Sequence, residues 1–133
     1  MGAVVSLPAR RVAYTRSFGD PSTSDAFARL EQVVPLKGNR FYATFDPTTL
    51  EYRACVALRA GEQGSTYGLP EFTLEAGPYA SAKLKGAFAD IVRLIAPTFD
   101  RLRSEHKVDV QRRSIEFYKR HTEIILYLPI RDD

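Results

Sequence analysis

The sequence predicts an α+β domain: a duplicated βαββ unit forming an antiparallel sheet, with two helices on one face and a concave surface on the other. Three observations predict it. Apolar residues alternate with period two in 10-RRVAYTRSF-18, 41-FYATF-45, 51-EYRACVALR-59 and 114-SIEFYKRHTEIILYLPI-130. Two segments switch to helical spacing. The order strand–helix–strand–strand also occurs twice, on either side of the Gly-rich stretch 61-GEQGSTYGLP-70.

The elements follow in order. After the first strand, GDPSTSD supplies turn residues, and Ser22 with Asp25 has the spacing of a capping box. Ala26, Phe27, Leu30, Val33 and Val34 mark a helix that Pro35 and Gly38 end. FYATF and EYRACVALR, joined by the turn DPTT, form a hairpin. Beyond the linker, EFTLEAGPYASAKL is extended, with a break at Gly77-Pro78. Ala87, Phe88, Ile91, Val92, Leu94 and Ile95 define a longer helix, which Pro97 kinks or restarts before Phe99 and Leu102. A strand from about residue 112 and TEIILYLPI make the last hairpin. The two halves also align loosely, VAYTRSFG with YASAKLKG and FYATF…YRACVAL with IEFY…IILYLPI. The predicted organisation is one domain over 1–133, with a first unit at 8–60, a linker at 61–70 and a second unit at 71–131.

Composition narrows the function classes. With 44% hydrophobic and 26% charged residues in 133, the chain can bury a core and is not of disordered type. No apolar run approaches 18 residues, so no membrane helix is expected. The opening MGAVVSLPAR lacks a signal-peptide pattern, and Gly2 with Ser6 matches only the bare myristoylation pattern. One cysteine, Cys55, excludes an internal disulfide, which fits a reducing, cytoplasmic setting. The net charge of +3 is spread over short basic pairs, too sparse for a nucleic-acid surface, so no direct DNA binding is expected. His106 and His121 read as exposed, and no nucleophilic triad, P-loop, dinucleotide fingerprint or metal motif is present; no cofactor or metal is expected.

Alternation assigns faces. In the terminal hairpin, Ile115, Phe117, Ile124, Leu126, Leu128 and Ile130 are uniformly apolar and are expected under the helices. The opposite parity holds Glu116 and Tyr118, then Glu123, Ile125, Tyr127 and Pro129. Tyr42 and Thr44 join this second surface if Phe41, Ala43 and Phe45 face the core, and the repeat adds Tyr14 and Tyr79. The glutamates are then either strand residues in solvent or paired with Arg16, Arg53 or Lys83, or they are partly desolvated carboxylates in an aromatic pocket. The second arrangement suits a lipophilic cation through charge and cation–π attraction. Burial would raise the carboxyl pKa and allow general acid or base chemistry. Parity puts Glu116 and Glu123 on one face and does not choose between them.

The pattern I-E-F-Y…T-E-I-I-L-Y-L-P-I, with V-A-Y-T-R-S-F-G and Y-G-L-P-E-F-T-L-E-A-G-P-Y, resembles GyrI-like domains over about residues 8–130. These include the effector-binding domains of AraC-type and multidrug-sensing MerR-type bacterial regulators. The resemblance implies two SHS2-type modules and a pocket for bulky hydrophobic, often cationic, small molecules, with an acid at its centre. On this sequence the acid is Glu116, with Tyr118 and Tyr127 as neighbours and Glu123 as its rival. The chain departs from the family in lacking tryptophan. The two modules leave no room for a helix-turn-helix, so the expectation is a standalone binding domain, monomeric or homodimeric. Some standalone relatives are hydrolases that open cyclopropane-containing toxins, which would make Glu116 and Tyr118 catalytic. Another relative is a gyrase inhibitor, which would make the partner a protein.

Overall fold

A computed structural model describes residues 3–131, apart from the side chain of Ser22. Its strands are β1 (Ala3–Leu7), β2 (Arg10–Phe18), β3 (Phe41–Asp46), β4 (Glu51–Ala57), β5 (Glu71–Leu74), β6 (Gly77–Lys85), β7 (Ser114–Arg120) and β8 (Glu123–Pro129). The helices are α1 (Ala26–Glu31), α2 (Gly64–Tyr67) and α3 (Phe88–Glu105). No described helix is long and apolar enough to cross a membrane. Gly2 and the Ser22 hydroxyl of the expected capping box lie outside the described residues. Asp25 occupies the cap position of α1 without a side-chain cap bond, and the Ser24 hydroxyl instead accepts from the Ala26 N–H at 3.1 Å.

Three local expectations change. AVVSL, unassigned by alternation, forms β1 and pairs with β6. The linker contains one helical turn, α2, whose Gln63 and Thr66 side chains reciprocally satisfy its first N–H groups. The longer helix α3 runs on through Pro97. Pro97 and Arg93 are both exposed, so water can take the carbonyl that proline leaves without a donor.

The eight strands form one sheet in the order β1-β6-β8-β7-β3-β4-β2-β5, antiparallel at every pairing. Exchanging each strand of the first half for its counterpart in the second reverses this order and leaves it unchanged. The centre falls between β3 and β7. Each half sends its leading strand to the other half's edge, β1 to β6 and β5 to β2. Laid flat, β1 and β5 would stand roughly 33 Å apart at ordinary strand spacing. Leu7 from β1 and Leu74 from β5 nevertheless line the same cavity, so the sheet is strongly curled.

Two clusters fill the helix-bearing face. Ala26, Leu30 and Val34 at α1 pack on Ala13, Ala43, Tyr52, Ala54 and Val56. Ile91, Phe99 and Leu102 of α3 pack on Ala80, Ala82, Ile124, Leu126 and Leu128. A third cluster, without helical residues, occupies the inside of the curl: Val12, Tyr14, Tyr42, Cys55, Leu74, Tyr79 and Ile115, with Phe72, Phe117 and Tyr127 against them. Cys55 is a buried free thiol, and burial pushes its pKa up.

The expected faces of β7 are inverted. Ile115 and Phe117 belong to the inside of the curl, and Tyr118 packs against both helix-side clusters. Register is the cause. Phe117 lies opposite Tyr42 and Ile125, whereas Glu116 lies opposite Ala43 and Leu126, which both face helices. Cross-strand partners share a face. The assignments for Phe41, Ala43, Tyr42, Tyr14, Tyr79 and Tyr127 agree with the structure.

Candidate functional site

Glu116 sits at the middle of the sheet, on the strand that meets the other half, and is buried at 9% exposure. The Tyr118 hydroxyl donates to its Oε1 at 2.6 Å. With its own proton given to Glu116, the Tyr118 oxygen can only accept in its hydrogen bond with the Tyr52 hydroxyl. Phe27 of α1 closes the group, its ring 5.0 Å from that of Tyr118 and 6.3 Å from that of Tyr52, both edge-on. Among the described residues no cation pairs with Glu116. Burial raises its pKa, and the Tyr118 hydrogen bond opposes that rise. The phenols of Tyr118 and Tyr52 are also pushed up, first by burial and then by the charge of Glu116.

The local sequence builds this arrangement simply. Ala43, directly opposite Glu116, leaves space above the strand, and alternation carries Tyr118 to the same side two residues on. Tyr52 shares parity with Ala54 and Val56, which face α1. The helix above is one and a half turns long, with Ala26 and Leu30 as its buried residues. It is tied down by the Thr15 hydroxyl donating to the Ala26 carbonyl at 2.6 Å and by Arg29 donating to the Arg16 carbonyl.

The other candidates lie elsewhere. Glu123 is buried at the start of β8 and has Arg120 at 3.8 Å. Neither Arg16 nor Arg53 reaches Glu116; both serve Glu51, at 3.4 and 3.0 Å, together with Arg113 at 2.6 Å. Those guanidinium groups outweigh burial and hold the Glu51 carboxyl below its usual range. Tyr14, Tyr42, Tyr79, Tyr127 and Ile125 are on the inner face, across the sheet from Glu116 and Tyr118. The sequence-predicted site is therefore two groups separated by the sheet, not one wall.

On the inner face, Tyr42 stacks on Phe117 with centroids 4.8 Å apart. Tyr79 meets Tyr127 edge-on at 6.3 Å and donates its hydroxyl to the Glu75 carbonyl at 2.6 Å. Arg53 lies over the rings of Tyr14 and Phe72, at 4.3 and 4.5 Å, and Arg112 over Tyr79 at 4.7 Å. Protein cations thus already occupy several of the ring faces that were expected to meet a ligand cation.

Sequence reasoning missed Phe27 and Tyr52. Both were visible as core-facing positions, Phe27 in the helical spacing of 26–34 and Tyr52 in the alternation of β4. It also missed Arg10 and Arg40, which line the mouth of the inner cavity and carry no motif.

No family model matches the chain, and no curated protein matches it. Solved structures share its fold. An integron cassette protein from Vibrio cholerae is similar at a TM-score of 0.76 and 12% identity, covering 98% of this chain and 95% of its own. SAV2435, in a structure bound to tetraphenylphosphonium, is similar at 0.65 and 10%, covering 99% and 94%. A Staphylococcus aureus protein assigned to bacterial transcription regulation is similar at 0.64 and 10%, covering 98% of both chains. Together they establish a mostly antiparallel, curled α+β fold that also occurs in a ligand-bound and a regulation-related protein.

Proposed function

We propose that this chain is a binding module for bulky hydrophobic cations, of the GyrI-like type, with one SHS2-type module in each half. The observation that carries the reading is Glu116: a carboxyl held among Tyr118, Tyr52 and Phe27, with no ion-pair partner among the described residues. A lipophilic cation entering beneath α1 would supply the missing charge and meet aromatic faces. The relative that holds tetraphenylphosphonium lends this ligand class its support. Entry requires Phe27, which is only partly buried, to swing aside beneath the short helix α1. Tyr14, Tyr42, Tyr79, Tyr127 and Ile125 take no part in this site, and the rival Glu123 has its own arginine.

Calorimetry with tetraphenylphosphonium tests the reading. Wild type should bind saturably, and Glu116→Gln should lose about 1–3 kcal/mol of affinity while Glu123→Gln loses nothing. Undiminished binding by a folded Glu116→Gln protein would sink it.

One observation favours a second reading. A carboxyl whose pKa burial raises, hydrogen-bonded to a tyrosine, can hold a proton above the usual carboxylate range and deliver it. That suits a hydrolase acting on a strained electrophile such as a cyclopropane. Turnover of such a compound, abolished in Glu116→Gln, would establish it; binding without product would leave the binding module.

A further inference from the structure

We propose that the inside of the curl holds a second ligand site, at its Arg10/Arg40 mouth, for small aromatic anions. Eight curled strands leave an interior that is either filled by side chains or roomy enough for one small ligand. Here a cavity of about 180 Å³ remains. Its apolar lining comes from Leu7, Leu74, Ile115, Tyr42, Phe117 and Tyr127. A planar apolar group entering there meets the stacked Tyr42–Phe117 pair and the side of Tyr127.

The charge at the mouth selects the ligand. Arg10 and Arg40 both line the cavity, and both act on the Tyr42 hydroxyl, Arg40 through a hydrogen bond. Their guanidinium groups therefore converge at one end. Among the described residues neither makes an ion pair, although Arg53, Arg112 and Arg113 of the same face are all matched with acids. Glu75 also lines the cavity, at the seam with a neighbouring hollow that it shares with Leu74 and Ile115. Two guanidinium groups against one carboxylate leave the mouth cationic. A carboxylate or sulfonate set against Arg10, Arg40 and the Tyr42 hydroxyl would find two charged donors and a neutral one. A cation, the ligand class assigned to the Glu116 side, would be repelled here.

The probe is 2-naphthoate, with uncharged 2-naphthol as its comparison, titrated into the full chain by calorimetry and followed by amide chemical shifts. Saturable 2-naphthoate binding should perturb residues 7, 10, 40, 42, 74, 117 and 127. The double variant Arg10→Ala/Arg40→Ala should bind at least about tenfold more weakly. Binding by 2-naphthol should fall short of 2-naphthoate by a similar factor. Glu116→Gln should bind 2-naphthoate as wild type does, which separates this site from the one beneath α1. Tyr42→Phe, which keeps the ring and removes one donor, should weaken binding by a smaller factor. The proposal is overturned by no saturable binding, by equal affinity for the acid and the phenol, or by binding lost in Glu116→Gln and retained in the arginine variant.

Discussion

Glu51 and Glu116 are the same residue, comparably buried at 5% and 9%, on opposite faces of one sheet. Glu51 on the inner face meets Arg16, Arg53 and Arg113, and its carboxyl is held below the usual range. Glu116 beneath the helices meets two phenols and a benzyl ring, and burial raises its pKa. The difference teaches that burial alone does not mark a site. A buried acid surrounded by cations is a structural knot, and its worth lies in not leaving guanidinium groups bare. A buried acid without a cation is an unmet electrostatic demand, which a ligand can satisfy.

Substitutions can break or sharpen that contrast. The largest effect is expected for Glu51→Ala, which strands Arg53 on the inner face and leaves Arg113 only the longer contact with Asp46, at 3.7 Å. Chemical denaturation should show a loss of about 3 kcal/mol, and no loss would mean the knot is ornamental.

Glu116→Gln should behave in the opposite sense, with a pH signature. The folded pKa of Glu116 lies above the ordinary 4.5, so its favourable contribution is complete below that value. It fades as pH rises through the folded value. The stability of Glu116→Gln relative to wild type should therefore grow from about pH 4 to pH 8, by about 1–3 kcal/mol. Glu51 has a depressed pKa, so its contribution is complete above 4.5 and lost as pH falls through the folded value. For Glu51→Gln the deficit should instead shrink as pH falls below about 4.5 and stay level from there up to pH 8. Parallel pH curves for the two variants would erase the distinction.

Tyr118→Phe removes the hydrogen bond that steadies the Glu116 carboxylate. It should raise the Glu116 pKa further, read by carboxyl carbon NMR, and cost about 1 kcal/mol of stability. The smallest effect is expected for Arg40→Ala, within about 0.5 kcal/mol in unfolding, because Arg40 is exposed and makes no ion pair among the described residues.

Much of the framework was legible. Alternation identified the strands other than β1, helical spacing found α1 and α3, and the inner-face tyrosines Tyr14, Tyr42, Tyr79 and Tyr127 were assigned to the face without helices. Glu116 and Tyr118 were placed there too, and wrongly. The error has a physical origin: both faces of β7 pack against apolar partners, so polarity does not say which row lies under the helices. Pairing decides it, through Phe117 against Tyr42 and Glu116 against Ala43, and β3 and β7 are too far apart in sequence to display that register. The charge knot at Glu51 was equally hidden, because Arg113 reaches it from another strand.

The exchanged leading strands also bear on how the chain acquires its structure. Ala3 must find Ser81 and Arg11 must find Thr73 before either edge is complete. Neither half can be finished by its own residues, so the two should form and dissolve in a single cooperative step. Contacts so distant along the chain slow the search, which places folding in the regime of milliseconds to seconds typical of non-local β topologies.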